Sequence, residues 1–349
     1  MGCLILTHLG QSIPPYMKDC VHQLRIWNPE LTIYLILDTY HKENIFQTTY
    51  LANLNGEMPL WNILATKYGV NIVYTDSLYI TQHHSYFRNN LKSEERFDLQ
   101  FRKGYWQFVK ERFFYLEELI KQKSLTDVIS MEYDILVYQN IQPLFQKLAN
   151  SHQTLRFVKD NETKGHPGFI YIPNYSILEH YNQFLVSIMD SGLEDMQSLV
   201  AYEKKYPTRV HYLPVLSEET TFRKPNRRSL EGHTTENPSF LCEDASLFGC
   251  LFDSLAVGQW ISGVDPRNTG GHKYTRYPNE GSLYTVEEVG LEWVQIESKW
   301  VPILDGMLLL TIHIHSKALS HFLSDRITCP ADDYEVDDIL KGLVPNQVP

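Results

Sequence analysis

Long apolar runs are missing from this chain. None of its 349 residues belong to a stretch of about 18 or more apolar residues, the length a bilayer-crossing helix needs. No integral membrane segment is therefore expected. A secretory leader is not expected either, because Met1-Gly2-Cys3-Leu4-Ile5-Leu6 has no basic cluster and no small-residue cleavage site and reads as a first strand. Gly2 raises N-myristoylation, but that modification wants Ser or Thr at position six, where Leu6 stands. Cysteine is sparse. The five (Cys3, Cys20, Cys242, Cys250, Cys329) are odd in number and form no Cys-x-x-Cys pair. That argues against a disulfide frame or a zinc site and for reduced thiols in a cytoplasmic setting. Positive charge is also scarce. With 31 Lys and Arg against 42 Asp and Glu the net charge is −11, which excludes a whole-surface nucleic-acid or anionic-membrane binder. An anionic ligand would need a local positive device, either a metal ion or a few Arg and Lys. There is no internal repeat.

What is present is enough for a large core and an aromatic surface. Hydrophobic residues make up 43%, and 22 Tyr suit sugar or nucleotide stacking. Through the first 140 residues, strand and helix patterns alternate. Strands are expected at 3–9, 31–37, 70–74 and 125–138. A helix opens at Pro14-Pro15 with the stripe Met17, Cys20, Val21, Leu24 and Trp27, and a long one covers about 97–123. Such alternation predicts an α/β fold with a mostly parallel central sheet flanked by helices. Ligands bind such sheets beyond the carboxyl ends of the strands. Thr7, Asp38, Asp76 and the pair Glu132/Asp134 all fall at those ends.

Residues 1–140 read as a binding half, and 141–330 as an acceptor-side half of the same domain. In the second half, strands are expected at 156–158, 168–172, 209–213 and 292–303, and helices at 176–190, 193–205 and 247–261. Gly165-His166-Pro167-Gly168 reads as a turn. Residues 217–240, with Arg223, Lys224, Arg227 and Arg228, form the densest positive patch and fit either a lid or a surface loop. Residues 331–349 read as an acidic tail.

Four features carry chemistry. In Glu132-Tyr133-Asp134, residues two apart share a face if the segment is a strand, so two carboxylates converge on one spot. Hard oxygens at that spacing suit Mg²⁺ or Mn²⁺, and an edge strand with two solvated acids fits equally. Arg112 interrupts an apolar ridge of its helix, so it needs an anion from the protein or from a ligand. In Leu310-Thr311-Ile312-His313-Ile314-His315, the alternation puts both imidazoles on one face, with Lys317 just beyond. Asp253 stands at the start of a helical pattern, where it fits a helix cap or a catalytic base.

These residues resemble a nucleotide-sugar-dependent glycosyltransferase of the GT-A type, a Rossmann-like fold, in a little-studied bacterial and viral branch. Glu132-Tyr133-Asp134 stands where such enzymes carry an Asp-x-Asp-like motif, with Glu132 as the departure. Glu111-Arg112-Phe113-Phe114, Gly165 to Phe169, and Phe252-Asp253 with Gly263 to Asn268 carry the likeness further, over most of the chain to about Ser324. The resemblance implies a Mn²⁺ or Mg²⁺ ion held by Asp134 with His315 or His313. It places the donor near Thr7, Asp38, Asp76, Arg112, Glu132 and Lys317, and, if the reaction inverts the anomeric centre, implies Asp253 as base with Glu243 and Asp244 in reserve. The donor expected is a UDP-sugar, with a GDP-sugar second. The acceptor is a glycan, lipid-linked sugar or protein hydroxyl, and the activity that of a hexosyl- or pentosyltransferase. Two other readings stay open. A sugar-1-phosphate nucleotidyltransferase would want a Gly-rich basic loop after the first strand, where Leu9 to Pro15 holds one Gly and no basic residue. A catalytically silent sugar- or nucleotide-binding protein on the same fold needs neither feature.

Overall fold

A computed structural model describes residues 2–43, 59–91, 104–265, 276 and 278–331. The strands, in chain order, are β1 (Cys3–His8), β2 (Ile33–Leu37), β3 (Asn71–Tyr74), β4 (Val128–Met131), β5 (Ile135–Val137), β6 (Leu155–Lys159), β7 (Gly165–Ile172) and β8 (Val210–Tyr212). They are followed by β9 (Arg227–Arg228), β10 (Thr234–Thr235), β11 (Cys250–Phe252), β12 (Leu291–Ile296), β13 (Lys299–Leu304) and β14 (Met307–His313). The helices that matter below are α1 (Met17–Trp27), α2 (Tyr40–Glu43), α3 (Leu60–Tyr68), α4 (Gln82–Asn90), α5 (Tyr105–Lys123), α6 (Gln142–Asn150), α7 (Tyr175–Ser187), α8 (Asp195–Lys205), α9 (Glu218–Arg223), α10 (Ala245–Phe248) and α11 (Ala256–Ser262).

The main sheet runs β3-β2-β1-β4-β7-β6-β8, and every pairing is parallel except the two made by β7. Strand β1 shows why its sequence is an unbroken apolar run. Leu4 and Leu6 point into one core cluster and Cys3 and Ile5 into the other. A strand covered on both faces has no polar side to alternate. Helix α1 and a second sheet cover the first face, while α5, α7 and α8 cover the second. The second sheet runs β11-β14-β13-β12, with β5 also paired to β14. Strands β6 to β8 extend a sheet begun before residue 140, and one core cluster holds both Leu4 and Ile312. No described helix is long and apolar enough to cross a membrane, and all five cysteines are free thiols.

Three local readings change. The 247–261 pattern is not one helix. Gly249, at φ +69°, ends α10, and Cys250 to Phe252 join β14 as the parallel strand β11 before α11 begins. The segment from Gly165 to Gly168 is the start of β7, not a free turn. Phe157 faces Ile170, so regular pairing would set Val158 opposite Phe169; it lies opposite His166, and β7 carries three extra residues there. Pro167, which has no N–H to give a ladder, belongs in such a bulge. Residues 217–240 are built of α9, the β9–β10 hairpin and a 3₁₀ turn, with Arg227 buried on the Thr220 carbonyl and Lys224 paired to Glu288. Residues 97–103 of the expected long helix, the tail from 332, and Pro266 to Asn268 lie outside the described residues.

Candidate active site

The carboxyl edge of the main sheet gathers a cluster of buried and half-buried polar side chains. Because β7 runs against its neighbours, its first residues reach the edge where β1 and β4 end. Glu132-Tyr133-Asp134 is a tight turn rather than a strand, since Ile135 N–H donates to the Glu132 carbonyl at 3.3 Å. The chain crosses there from β4 in one sheet to β5 in the other. The two carboxylates consequently take different partners. Glu132 accepts from Arg112 at 2.5 Å, and Arg112 also reaches Asp195 at 3.1 Å. The anion that a buried Arg112 requires is thus supplied by the protein. Asp134 Oδ2 accepts from Lys317 and lies 3.0 Å from His313 Nε2.

The motif between the acids is anchored from below. His8 Nδ1 lies 3.0 Å from the Tyr133 hydroxyl, with Tyr16 packed on the same ring. Nothing in the local pattern marked His8, which only the β1–β4 pairing brings under the turn. The backbone closes the turn as well. Glu132 N–H donates to Gly168 and Ile314 N–H donates to Asp134, both at 2.8 Å.

Three imidazoles stand in a row over these acids. His166 and His313 have ring centroids 5.0 Å apart and nearly parallel, and His313 and His315 have centroids 4.5 Å apart. His313 Nδ1 and His166 Nε2 are 2.9 Å apart, so one of the two carries the proton. Burial, then the neighbouring His313, pushes His166 down to about 3, and the same causes hold His315 well below the usual range. His166 and His315 are thereby kept from charging by burial and by the neighbouring ring. Burial raises the Asp134 carboxyl, but His313 and Lys317 outweigh it and hold it well below the ordinary range. Glu132 is lowered likewise, with Arg112 overcoming its burial.

Glycine makes this crowding feasible at two positions. A Cβ on Gly168 would lie 2.4 Å from His166 Cε1, and one on Gly258 would lie 1.7 Å from the His313 carbonyl oxygen. Gly258 belongs to α11, which therefore packs backbone to backbone on β14. Asp253, the expected base, is 2% exposed, and both its oxygens are engaged. It accepts from Val257 and Gly258 N–H at 3.0 and 2.9 Å, and from His313 N–H at 3.0 Å. The helix-cap alternative describes this geometry. The reserves have partners elsewhere: Glu243 accepts from Tyr212 N–H at 3.0 Å, and Asp244 pairs with buried Arg156 at 2.9 Å.

The remaining sequence candidates lie further along the same edge. Thr7, on β1, has a buried hydroxyl with no hydrogen-bond partner among the described residues. Asp38 follows β2 and accepts from Tyr40 N–H, opening α2. Asp76 follows the edge strand β3 and pairs with Lys42 at 3.0 Å.

The site fits a divalent cation. Glu132, His166 and His313 each present one donor atom within 4.8 Å of the others, and Asp134 Oδ1 is buried without a partner among the described residues. His166, read from sequence only as part of a turn, belongs to this donor set.

No protein-family model and no curated protein matches the chain. Solved structures do. The chain is similar to mouse xyloside xylosyltransferase 1, at 10% identity and a TM-score of 0.40, over 64% of this chain and 90% of that one. It is similar to the galactosyltransferase LgtC, solved with donor and acceptor sugar analogues, at 13% identity and a TM-score of 0.37, over 64% and 77%. It is also similar to the PaToxG glycosyltransferase, at 12% identity and a TM-score of 0.37, over 58% and 68%. The mixed α/β frame with its mostly parallel sheet is what the chain has in common with these glycosyltransferases. Likenesses this distant concern outline, and the chemistry must stand on the residues of the site.

Proposed function

We propose that this protein is a glycosyltransferase that moves a sugar from a nucleoside-diphosphate donor to a hydroxyl of a glycan, lipid-linked sugar or protein. One observation carries the reading. Two acids, a stack of buried imidazoles and a lysine meet at the carboxyl edge of a mostly parallel sheet, where such sheets take ligands. Glu132, Asp134 and His313 would hold Mn²⁺ or Mg²⁺, with His315 stacked behind. A bound divalent ion supplies charge neutralisation for the diphosphate leaving group. Lys317 adds a second positive charge to the same spot from a left-handed backbone position at φ +64°. Arg112 orients Glu132, and Asp253 holds the His313 backbone, so we assign it positioning rather than proton transfer. The nucleoside lies toward Thr7, Asp38 and Asp76, as a UDP-sugar before a GDP-sugar. The free cysteines fit a cytoplasmic setting.

A second reading has its own observation. Arg112 on Glu132 and Lys317 on Asp134 neutralise both acids within the protein, which fits a silent nucleotide- or sugar-binding protein. Thermal shifts with nucleoside diphosphates and nucleotide sugars, with and without Mn²⁺, followed by donor turnover, separate the two. Metal-dependent stabilisation with turnover is the expected result. Stabilisation without turnover of any donor selects the silent reading, and no shift at millimolar donor removes both.

A further inference from the structure

We propose that His166 is a direct metal ligand, and that it adds a second nitrogen to the Glu132, Asp134 and His313 donors, so that the set selects a transition-metal ion such as Mn²⁺ or Co²⁺ against Mg²⁺. The proposal rests on the reading of this edge as a metal-dependent donor site and deepens it by naming a ligand and a metal class.

The donors come from three separate elements. Glu132 follows β4, His166 opens β7 and His313 ends β14. Their ligand atoms lie within 4.8 Å of one another, and both imidazoles are buried, at 3% and 8% exposure. The bulge in β7 delivers His166, since without its three extra residues Phe169 would take the place opposite Val158. Gly168 keeps the space open, because any Cβ there would strike the His166 ring. His166 Nδ1 is buried without a hydrogen-bond partner among the described residues, whereas His313 Nε2 faces Asp134 at 3.0 Å. Core histidines retained for packing have their nitrogens paired; His166 keeps one nitrogen unpaired.

The donor set chooses the metal. Mg²⁺ takes oxygen ligands and gives up water reluctantly. Imidazole nitrogen suits first-row transition ions, whose affinity rises from Mn²⁺ to Co²⁺. Two nitrogens among the protein donors therefore favour Mn²⁺ and Co²⁺.

The test uses the full chain with metal alone, so it needs no donor sugar and no turnover. Pulsed EPR on the Mn²⁺-loaded protein counts coordinated ¹⁴N nuclei, and calorimetry compares Mn²⁺, Co²⁺ and Mg²⁺. We expect two imidazole nitrogens, and Mn²⁺ binding at least about tenfold tighter than Mg²⁺, in line with the effect of single ligand-shell changes. His166→Asn should leave one nitrogen, weaken Mn²⁺ about tenfold or more and leave Mg²⁺ nearly unchanged. Gly168→Ala, which keeps the imidazole but displaces it, should weaken Mn²⁺ in the same direction. One nitrogen or none in the wild type overturns the assignment without any variant. Two nitrogens that persist in His166→Asn overturn it in favour of the His313/His315 pair. Donor turnover by a protein that fails these tests would sink the His166 ligand and leave the transferase reading standing.

Discussion

Two regions of this molecule bury imidazole among carboxylates, and they are built to opposite ends. Between α4 and α5, His84 lies 2.8 Å from Glu118 through Nδ1 and 3.1 Å from Glu111 through Nε2. Arg88 and Gln107 bond the same Glu111, so both nitrogens and most oxygens are paired, with Glu118 Oε2 left over. Burial works against charging His84, but the two glutamates outweigh it and raise its pKa. At the sheet edge, burial wins over the acids, and His166 falls to about 3. There His166 Nδ1, His315 Nε2 and Asp134 Oδ1 lack hydrogen-bond partners among the described residues. Each buried unpaired polar atom costs about 1–3 kcal/mol. A closed network holds a helix in place, whereas the open one has the unpaired atoms that the proposed metal site would use.

The sharpest way to break this contrast is His84→Leu. It leaves Glu111 and Glu118 buried around an apolar side chain. Removing one partner of a buried ion pair costs about 3–5 kcal/mol, which the urea midpoint should register while the folded fraction keeps its metal response. A cost near zero would mean that His84 is not the centre of a closed network. Asp134→Asn attacks the other region. Stabilisation by Mn²⁺ with nucleoside diphosphate at a hundredfold excess over Kd, about 2.7 kcal/mol, should vanish from the thermal shift. Persistence of the full shift would move the metal away from this turn.

Smaller effects sharpen the comparison. Gly258→Ala pushes a methyl group toward the His313 carbonyl, and overpacking of this kind costs about 1–3 kcal/mol. Its distinctive mark is weaker Mn²⁺ binding than in an equally destabilised variant remote from β14. The smallest effect is a pH dependence. A histidine whose folded pKa is raised stabilises fully below its unfolded value of about 6.5, and loses that contribution as pH rises through the folded value. Wild-type urea midpoints should therefore fall on the alkaline side of pH 6.5, and the His84→Leu midpoints should lack that component. Identical profiles would place His84 outside the linkage.

Much of the frame was legible because it follows local period. Strands β1, β2 and β3, the stripe of α1 and the helices α5 and α8 fall within their expected segments, and α7 begins one residue before its own. The residue types of the site were legible too: two acids, two imidazoles and a lysine. Their arrangement was not. Glu132 and Asp134 were read as neighbours on a strand face, whereas the chain turns between two sheets there and separates their partners. Asp253 was read in a helix because Leu247 to Ile261 is largely apolar, and such runs do not distinguish a buried strand from a helix. A Pro flanked by Gly looked like a turn at His166, while the bulge that accommodates it depends on pairing with β6.

What the sequence determined by itself is the class of fold, the strand edge that carries polar groups, and the kinds of donor available, because period and composition are local properties. Only the tertiary structure decided that Arg112 is answered by Glu132 and Asp195, that Asp253 clamps β14, and that His166 meets His313 across 147 positions of chain. Those pairings are set by which strands lie side by side and where a bulge shifts the register, and no local pattern of residues records either.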